Sequence, residues 1–277
     1  MATTESDLGG PTDLSEEEQR AVEAQLLRLA DDELIQAERY TFWQVRAPTL
    51  ESDLSISNNA QDELGHARLW YDAVQQLGYS EESLIYESDP SDFQHSTFVE
   101  LPFAEGDWAD AIVRAYLYDV AEDIRLSALE NSSYEIIRNR TSRIQGEEGY
   151  HLEHAESWLD RMALDEEASE RVQAAIDDLY PYALTLFEPV GDVEADIERL
   201  GIRTMTLDEM RSEWETRVES FLTELGFDVP TDVAPATPTG RDNEHTDHWH
   251  DLHEQMTSSY RNLGRDKATL IMADDDE

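Results

Sequence analysis

Glu63-Leu-Gly-His66 and Glu148-Gly-Tyr-His151 are the two stretches that decide the fold. In each, a glutamate precedes a histidine by three residues, which puts a carboxylate and an imidazole on the same face of an α-helix. The residues at helical spacing around the two pairs are mostly apolar: Ile56, Trp70 and Ala73 near the first, and Ile144, Ala155 and Trp158 near the second. We therefore expect two helices that turn these polar pairs toward the protein interior.

Helical periodicity extends over nearly the whole chain, and little of the sequence reads as a β-strand. The predicted helices span residues 15–46, 50–77, 108–131, 134–162, 166–187, 207–225 and 245–263. Ser15 and Glu18 form a capping-box sequence at the start of the first helix, and Ala47-Pro48 and Gly78 end the first and second. The connection at 79–105 is long enough to carry short strand or extended pieces, and residues 228–240 read as a linker.

These elements predict one helical domain over residues 15–263. Its core bundle, 15–162, consists of two helical hairpins, and the segment 166–263 supplies additional C-terminal helices. Residues 1–14 and the acidic tail at 264–277 are expected to be disordered, because they are polar and offer few apolar side chains for packing.

A site for two metal ions needs one further carboxylate from each of the other two helices, level with the Glu-x-x-His pairs. In an antiparallel hairpin, residues equidistant from the turn lie at similar height. Glu33 and Glu63 are centred on Pro48, and Asp119 and Glu148 are centred on the second turn. Competing carboxylates lie close by in the sequence: Glu38 could replace Glu33, and Glu122 or Asp123 could replace Asp119.

The predicted fold is therefore all-α, a ferritin-like four-helix bundle with additional C-terminal helices. Its predicted metal ligands are Glu33, Glu63, His66, Asp119, Glu148 and His151. The chain has no cysteine, so any metal is held by nitrogen and oxygen, a donor set that suits two Fe ions, with Mn as the plausible substitute. No catalytic residue is predicted apart from this site; Tyr116 is either a second donor beside Asp119 or a packed core residue.

The charge balance is strongly acidic, with 64 acidic residues against 20 basic ones and a net charge of −44. Such a surface repels nucleic acid and anionic membranes, so neither is an expected partner. Adaptation to a high-salt cytoplasm explains the charge better than disorder, because the chain is 39% hydrophobic, or than a cationic partner, because the acids are spread evenly. The first residues do not resemble a signal peptide, and we expect a halophilic cytoplasmic protein.

Four histidines lie close together near the C-terminal end of the chain, at positions 245, 248, 250 and 253. Imidazoles at this spacing could bind zinc, but half of them would lie on different faces of a helix. An interface between subunits or an ordinary surface is the preferred interpretation.

Several stretches together resemble the phenylacetic acid catabolism family of ferritin-like proteins. The stretches shared with the family in general are Leu29-Ala-Asp-Asp-Glu-Leu-Ile35, Trp43, Arg46-Ala-Pro48 and Asn59-Ala-Gln-Asp-Glu-Leu-Gly-His-Ala-Arg68. Those that resemble its C-type members are Phe98-Val-Glu-Leu-Pro102, Trp108-Ala-Asp110, Tyr150-His151, Trp158-Leu-Asp-Arg161, Gly240-Arg241 and His245-Thr-Asp-His248. The resemblance covers roughly residues 25 to 262.

The resemblance implies a component of a multicomponent di-iron monooxygenase that converts phenylacetyl-CoA to its ring 1,2-epoxide during aerobic phenylacetate degradation. In that family the working di-iron centre lies in the A-type chain, small subunits complete the assembly, and a flavin and iron-sulfur reductase delivers electrons. The C-type chain is a structural partner, and some C-type members have lost metal ligands, whereas this sequence matches all six positions. The alternatives are an autonomous di-iron or di-manganese oxidase or oxygenase, which could form a homodimer, and a metal-free scaffold subunit.

Overall fold

The computed structural model describes residues 7–103 and 107–263, and in both ranges the protein is helical, without a β-strand. The helices are α1 (Glu16–Thr41), α2 (Leu50–Gln75), α3 (Thr97–Glu100), α4 (Trp108–Leu129), α5 (Glu135–Met162), α6 (Glu166–Ala183), α7 (Glu194–Arg199), α8 (Leu207–Glu224) and α9 (Asp247–Leu263). None of the described helices is long and apolar enough to span a membrane.

The helix ends follow the signals in the sequence. Ser15 accepts a hydrogen bond from the Glu18 amide (3.3 Å), and the Glu18 carboxylate accepts one from the Ser15 amide (2.7 Å), which completes the predicted capping box. Gly78 follows α2 with φ +108°, a conformation that favours glycine. Helix α1 ends earlier than predicted, at Thr41, because the next amides bond to carbonyls three residues back and tighten the chain into turns.

Four of these helices form the core bundle and place the candidate site. Helix α1 packs along α2, α4 packs along α5, and α2 contacts α5 across the bundle. Helices α6 and α8 cover the outer face of α4, where the indole of Trp214 donates to the Leu117 carbonyl (2.9 Å). The prediction of a four-helix bundle with additional C-terminal helices is therefore confirmed.

The long connection between the hairpins contains only short helical turns among its described residues. They are a π-helical turn at Glu82–Tyr86, a 3-10 turn at Pro90–Asp92 and the one-turn helix α3. The strand or extended pieces that the sequence allowed are therefore absent from residues 79–103. Helix α7 was not predicted, because six residues are too few to show a helical period.

Residues 7–14 belong to the segment for which disorder was expected, but they lie against the start of α5. The Leu8 amide donates to the Ser133 carbonyl (3.0 Å), and Asp7 pairs with Arg138 (3.1 Å). These contacts hold the segment beside the second hairpin. Residues 1–6 and the predicted acidic tail at 264–277 lie outside the described residues.

A buried histidine–glutamate cluster ties the C-terminal segment to the connection between the hairpins. Glu100 Oε2 lies 3.0 Å from Nε2 of His95 and 3.1 Å from Nδ1 of His245, and Glu100 Oε1 accepts from the Thr246 amide (3.0 Å). Gly240 packs so tightly here that a Cβ atom would lie 2.3 Å from the His95 carbonyl oxygen. Only glycine fits at this contact between the two segments.

This cluster predicts that acid destabilises the protein. Burial lowers the pKa of His95 to about 4, so acidification from pH 6.5 to 4 favours the unfolded chain, in which this imidazole takes up a proton. Although burial opposes it, bonds from His245 and His95 hold the pKa of Glu100 at about 2, which adds a loss of stability below pH 4.5. The contribution of His95 is at most about 3 kcal/mol.

We expect His95→Gln, which keeps a hydrogen-bond donor but does not titrate, to reduce this acid sensitivity. Urea denaturation near pH 7 and near pH 5 should show a smaller loss of unfolding free energy in the variant than in the parent. His250→Gln, at an exposed position, is the matched control and should behave like the parent. Equal losses in His95→Gln and the parent would contradict the assignment.

Candidate metal centre

The six predicted ligands meet in the middle of the core bundle, one or two from each helix, and each is at most 3% exposed: Glu33, Glu63, His66, Asp119, Glu148 and His151. Ligand-type atoms of Glu33, Glu63 and His66 lie within 4.8 Å of one another, and so do those of Glu63, Asp119, Glu148 and His151. Glu63 belongs to both groups. Glu148 also reaches both, since its Oε1 lies 3.0 Å from Nδ1 of His66. The geometry therefore contains two adjacent ligand groups joined by two shared carboxylates.

The atoms that face the centre have no hydrogen-bond partner. They are both carboxylate oxygens of Glu33, Glu63, Asp119 and Glu148, and Nδ1 of His66 and His151. Even the 3.0 Å approach between His66 and Glu148 lacks hydrogen-bond geometry, because both atoms point toward the space between them. Unpaired carboxylates are costly in a protein interior unless a cation compensates them. These residues therefore fit a pair of metal ions.

The outer nitrogens of the two imidazoles are held by the opposite hairpin. His66 Nε2 lies 2.8 Å from Oε2 of Glu147, and His151 Nε2 lies 3.3 Å from Oδ2 of Asp62. Glu147 and Asp62 each immediately precede a shared glutamate, so the two hairpins hold each other's histidine. A carboxylate on the far nitrogen fixes the ring orientation and leaves Nδ1 free to bind a metal.

The electrostatics of the centre are those of excess negative charge in a dry interior. Burial and neighbouring carboxylates raise the pKa of Glu33 and Asp119 well above their ordinary values, and burial raises that of Glu63 to about 7. Despite burial, the two histidines hold the pKa of Glu148 at about 2. Despite burial as well, nearby carboxylates raise the pKa of His66 to about 9 and that of His151 to about 12. Protons thus partly occupy the role that cations can fill.

The competing carboxylates lie elsewhere or have other partners. Glu38 is only half-buried and belongs to neither ligand group, and Asp123 pairs with Arg217 (2.6 Å). Glu122 is fully buried and close enough to Glu33 to raise its pKa, but its Oε2 pairs with Arg125. The spacing of the two hairpins therefore selected the residues that converge.

Tyr116 packs in the core instead of facing the centre. Its ring lies 5.0 Å from that of Phe221, and the charges nearest to its phenol are those of Glu156 and Arg217. Two other tyrosines face the centre: burial and the charges of surrounding carboxylates raise the pKa of Tyr40 and Tyr118 well above the ordinary value. Both phenol oxygens are buried without a hydrogen-bond partner.

The four C-terminal histidines do not gather. His245 joins Glu100, His253 packs against Phe93 and Trp249, and His248 and His250 are exposed. His95, Glu100 and His245 do bring three ligand-type atoms within 4.8 Å. However, the two imidazole rings stack 4.5 Å apart at 25°, so their nitrogen lone pairs run side by side and do not converge on one ion.

A family model described as "Phenylacetic acid catabolic protein" matches residues 7–266. The chain belongs to this family. Among the curated relatives, this phenylacetic acid catabolic protein is 30% identical to the C-type subunit of the 1,2-phenylacetyl-CoA epoxidase of Escherichia coli, over 81% of the chain and 90% of the relative. It is 28% identical to the A-type subunit of the same epoxidase, over 68% of the chain and 62% of that relative.

A solved structure of similar fold is "Protein 19 with aldehyde deformylating oxidase activity from Synechococcus". It aligns with this phenylacetic acid catabolic protein at a TM-score of 0.56 and 17% identity, covering 77% of the chain and 93% of that structure. At this identity the likeness concerns the fold, which is ferritin-like, as the arrangement of the four core helices predicted.

Proposed function

We propose that this chain is the C-type subunit of a phenylacetyl-CoA 1,2-epoxidase, a ring monooxygenase, and that it retains a di-metal carboxylate site. The 30% identity to the C-type relative, over nearly the whole of that relative, supports the subunit type. The observation that carries the metal site is the convergence of six buried ligand side chains whose inward-facing atoms lack partners. The chain would act beside an A-type partner, small subunits and a flavin and iron-sulfur reductase.

Two Fe ions suit the site, and Mn is the plausible substitute, since carboxylates and imidazoles are ligands that both accept. Glu33, Glu63 and His66 would hold one ion, and Asp119, Glu148 and His151 the other, with Glu63 and Glu148 shared. When bound, a pair of iron ions supplies the chemistry of dioxygen reduction. The chain's own residues position the ligands, keep water out of the bundle, and offer the phenols of Tyr40 and Tyr118 as proton donors at the centre.

A second candidate function is that of an autonomous oxidase or oxygenase. The complete ligand set favours it over a metal-free scaffold, because a scaffold has no need of four buried carboxylates. The first function and the second differ in whether the chain needs a partner.

The test is co-expression with a tagged A-type family member from the same source, followed by purification in high salt. The proposed function requires that the two chains elute together and that phenylacetyl-CoA is epoxidised when the reductase is added. A chain that elutes alone and consumes dioxygen with electron donors would support the autonomous enzyme. Co-elution with unchanged complex activity after Glu63→Ala would support the metal-free scaffold and overturn the functional site.

The carboxylates behind the histidines should matter for metal affinity. Replacing Asp62 by asparagine or Glu147 by glutamine removes the acceptor that orients His151 or His66. Each change is expected to weaken metal binding about 10- to 100-fold while leaving the fold intact. Competition with a chelator measures the affinity, and Glu153→Gln, at an exposed position on α5, is the control. Unchanged affinity in both variants would show that the two histidines need no such support.

A further inference from the structure

A row of aromatic side chains leads from the candidate metal centre to the protein surface. Its members are Tyr40, Phe103, Trp43, Trp108 and Trp158. Neighbouring ring centroids lie 5.8, 5.9, 5.5 and 5.6 Å apart in that order, within the range of direct aromatic contact. The row thus runs without a gap and contains three of the six tryptophans in the chain.

The inner end of the row faces the candidate ligands. Tyr40 lies two helical turns after Glu33 on α1, and side chains on a helix lean toward its N-terminus, which brings the phenol toward the centre. The phenol oxygen is buried without a hydrogen-bond partner, and the carboxylates of Asp119 and Glu63 are the charges closest to it. An acceptor for the phenolic proton is therefore at hand.

The outer end of the row opens on a surface cavity. Trp158 is half-buried and lines a cavity of about 550 Å³ between the start of α2 and α5. The Arg161 guanidinium lies 5.5 Å from the centre of its ring, and Tyr150, 74% exposed, lines the same cavity. A small molecule or a partner protein can therefore approach the last indole of the row directly.

We propose that this aromatic row carries single electrons from the surface at Trp158 to the metal centre, an inference that rests on the proposed di-metal site. Indoles and phenols lose one electron more readily than other packed side chains. The phenylalanine in the row does not, and it fills the space between Tyr40 and Trp43 as a short bridge. The other tryptophans with ring contacts lie apart: Trp214 packs against Tyr180 and Phe187, and Trp249 against Phe93.

The electron and proton balance of one transfer is closed. When dioxygen is reduced at the centre and no substrate is present, Tyr40 gives up one electron to the centre and its phenolic proton to a neighbouring carboxylate. Trp43, Trp108 and Trp158 each pass one electron inward in turn, and Tyr40 regains its proton. A one-electron reductant at the surface, such as a reduced flavin or ascorbate, replaces the electron that Trp158 has lost. The row thereby protects the interior from oxidation between productive cycles.

The absence of cysteine allows a direct test on the full-length, metal-free chain. Arg161→Cys provides one attachment point for a ruthenium polypyridyl photosensitiser beside Trp158, and Tyr150→Phe removes the exposed tyrosine at the same cavity. A laser flash with a soluble electron acceptor oxidises the label by one electron. Electron paramagnetic resonance and transient absorption then report whether a tyrosyl radical forms in the interior, because a phenol that hands its proton to a carboxylate is easier to oxidise than an indole.

We expect a tyrosyl signal that is lost in Tyr40→Phe and in Trp108→Phe, each of which keeps an aromatic ring in place. Tyr116→Phe, at a buried tyrosine outside the row, should leave the signal unchanged, and Trp43→Phe offers a second break in the row if Trp108→Phe folds poorly. No signal in the labelled parent, or a signal that survives Tyr40→Phe or either tryptophan variant, would overturn the proposal. Since no metal is present, these outcomes are independent of whether the di-metal site itself is confirmed.

Discussion

Replacing Glu63 and Glu148 together by glutamine should abolish metal binding, from about two ions per chain to none. These two carboxylates are the only ligand side chains among the described residues that reach both groups of the site. Without them neither group retains more than one carboxylate and one imidazole, too few to hold a divalent ion at micromolar concentration. The glutamine side chains keep the shape of the site, so the loss would report the charge and not the packing.

Elemental analysis after loading with Fe(II) under anaerobic conditions measures this effect, and Glu153→Gln plus Glu156→Gln, a pair on the outer part of α5, is the matched control. Metal retained at the parental level in the Glu63→Gln and Glu148→Gln chain would refute the site. A parent that binds no iron or manganese would leave only the function of a metal-free scaffold.

Stability without metal should respond in the opposite direction to the single change Glu63→Gln. The pKa of Glu63 is raised to about 7 in the fold, so its contribution to stability is present below pH 4.5 and is lost as the pH rises through 7. Near pH 8 the metal-free parent therefore carries an unfavourable buried charge that the variant lacks. The variant should unfold at a higher temperature than the metal-free parent there, whereas the metal-loaded parent should exceed both.

The ligands could be predicted because hairpin geometry links sequence distance to height in the bundle. Glu33 and Asp119 were selected only by their distance from two turns, and both converge with the Glu-x-x-His pairs. A further signal was available: an acidic residue precedes the glutamate in both motifs, as Asp62 and Glu147. The repeat would have indicated the carboxylates that orient the histidines, although spacing alone does not tell that each one serves the opposite hairpin.

Contacts between distant segments could not be predicted from periodicity. His95, Glu100 and His245 lie in a connection and at a helix start, where no repeating pattern fixes the direction of a side chain. The inward position of Tyr40 likewise depends on how α1 is rotated against α4, which the apolar stripe leaves uncertain by about one residue. Pairing across the bundle decides these positions, and single-chain patterns carry no record of it.

Truncating Arg241 to methionine should cost about 3–5 kcal/mol of unfolding free energy, because it leaves a buried charge network incomplete. The guanidinium is fully buried and donates to Asp32 Oδ2 (2.6 Å) and to the carbonyls of Gln94 (2.5 Å) and Arg28 (3.3 Å). Burial alone would raise the pKa of Asp32, but Arg241 and Arg125 outweigh it and hold the pKa below its ordinary value. Removing Arg241 therefore exposes Asp32 to the cost of burial and leaves two carbonyls with one donor fewer.

The position of this network gives the Arg241 prediction a consequence for the metal site. Asp32 directly precedes Glu33, and the Arg125 that shares Asp32 also pairs with Glu122, so the network lies immediately behind one ligand group. Urea denaturation should show the loss in Arg241→Met, and Arg171→Met, which breaks an exposed pair with Glu167, should change stability by less than about 0.5 kcal/mol. Equal effects at the two positions would mean that Arg241 contributes no more than a surface charge. A large loss at Arg241 with lower metal affinity would show that the C-terminal segment helps to position Glu33.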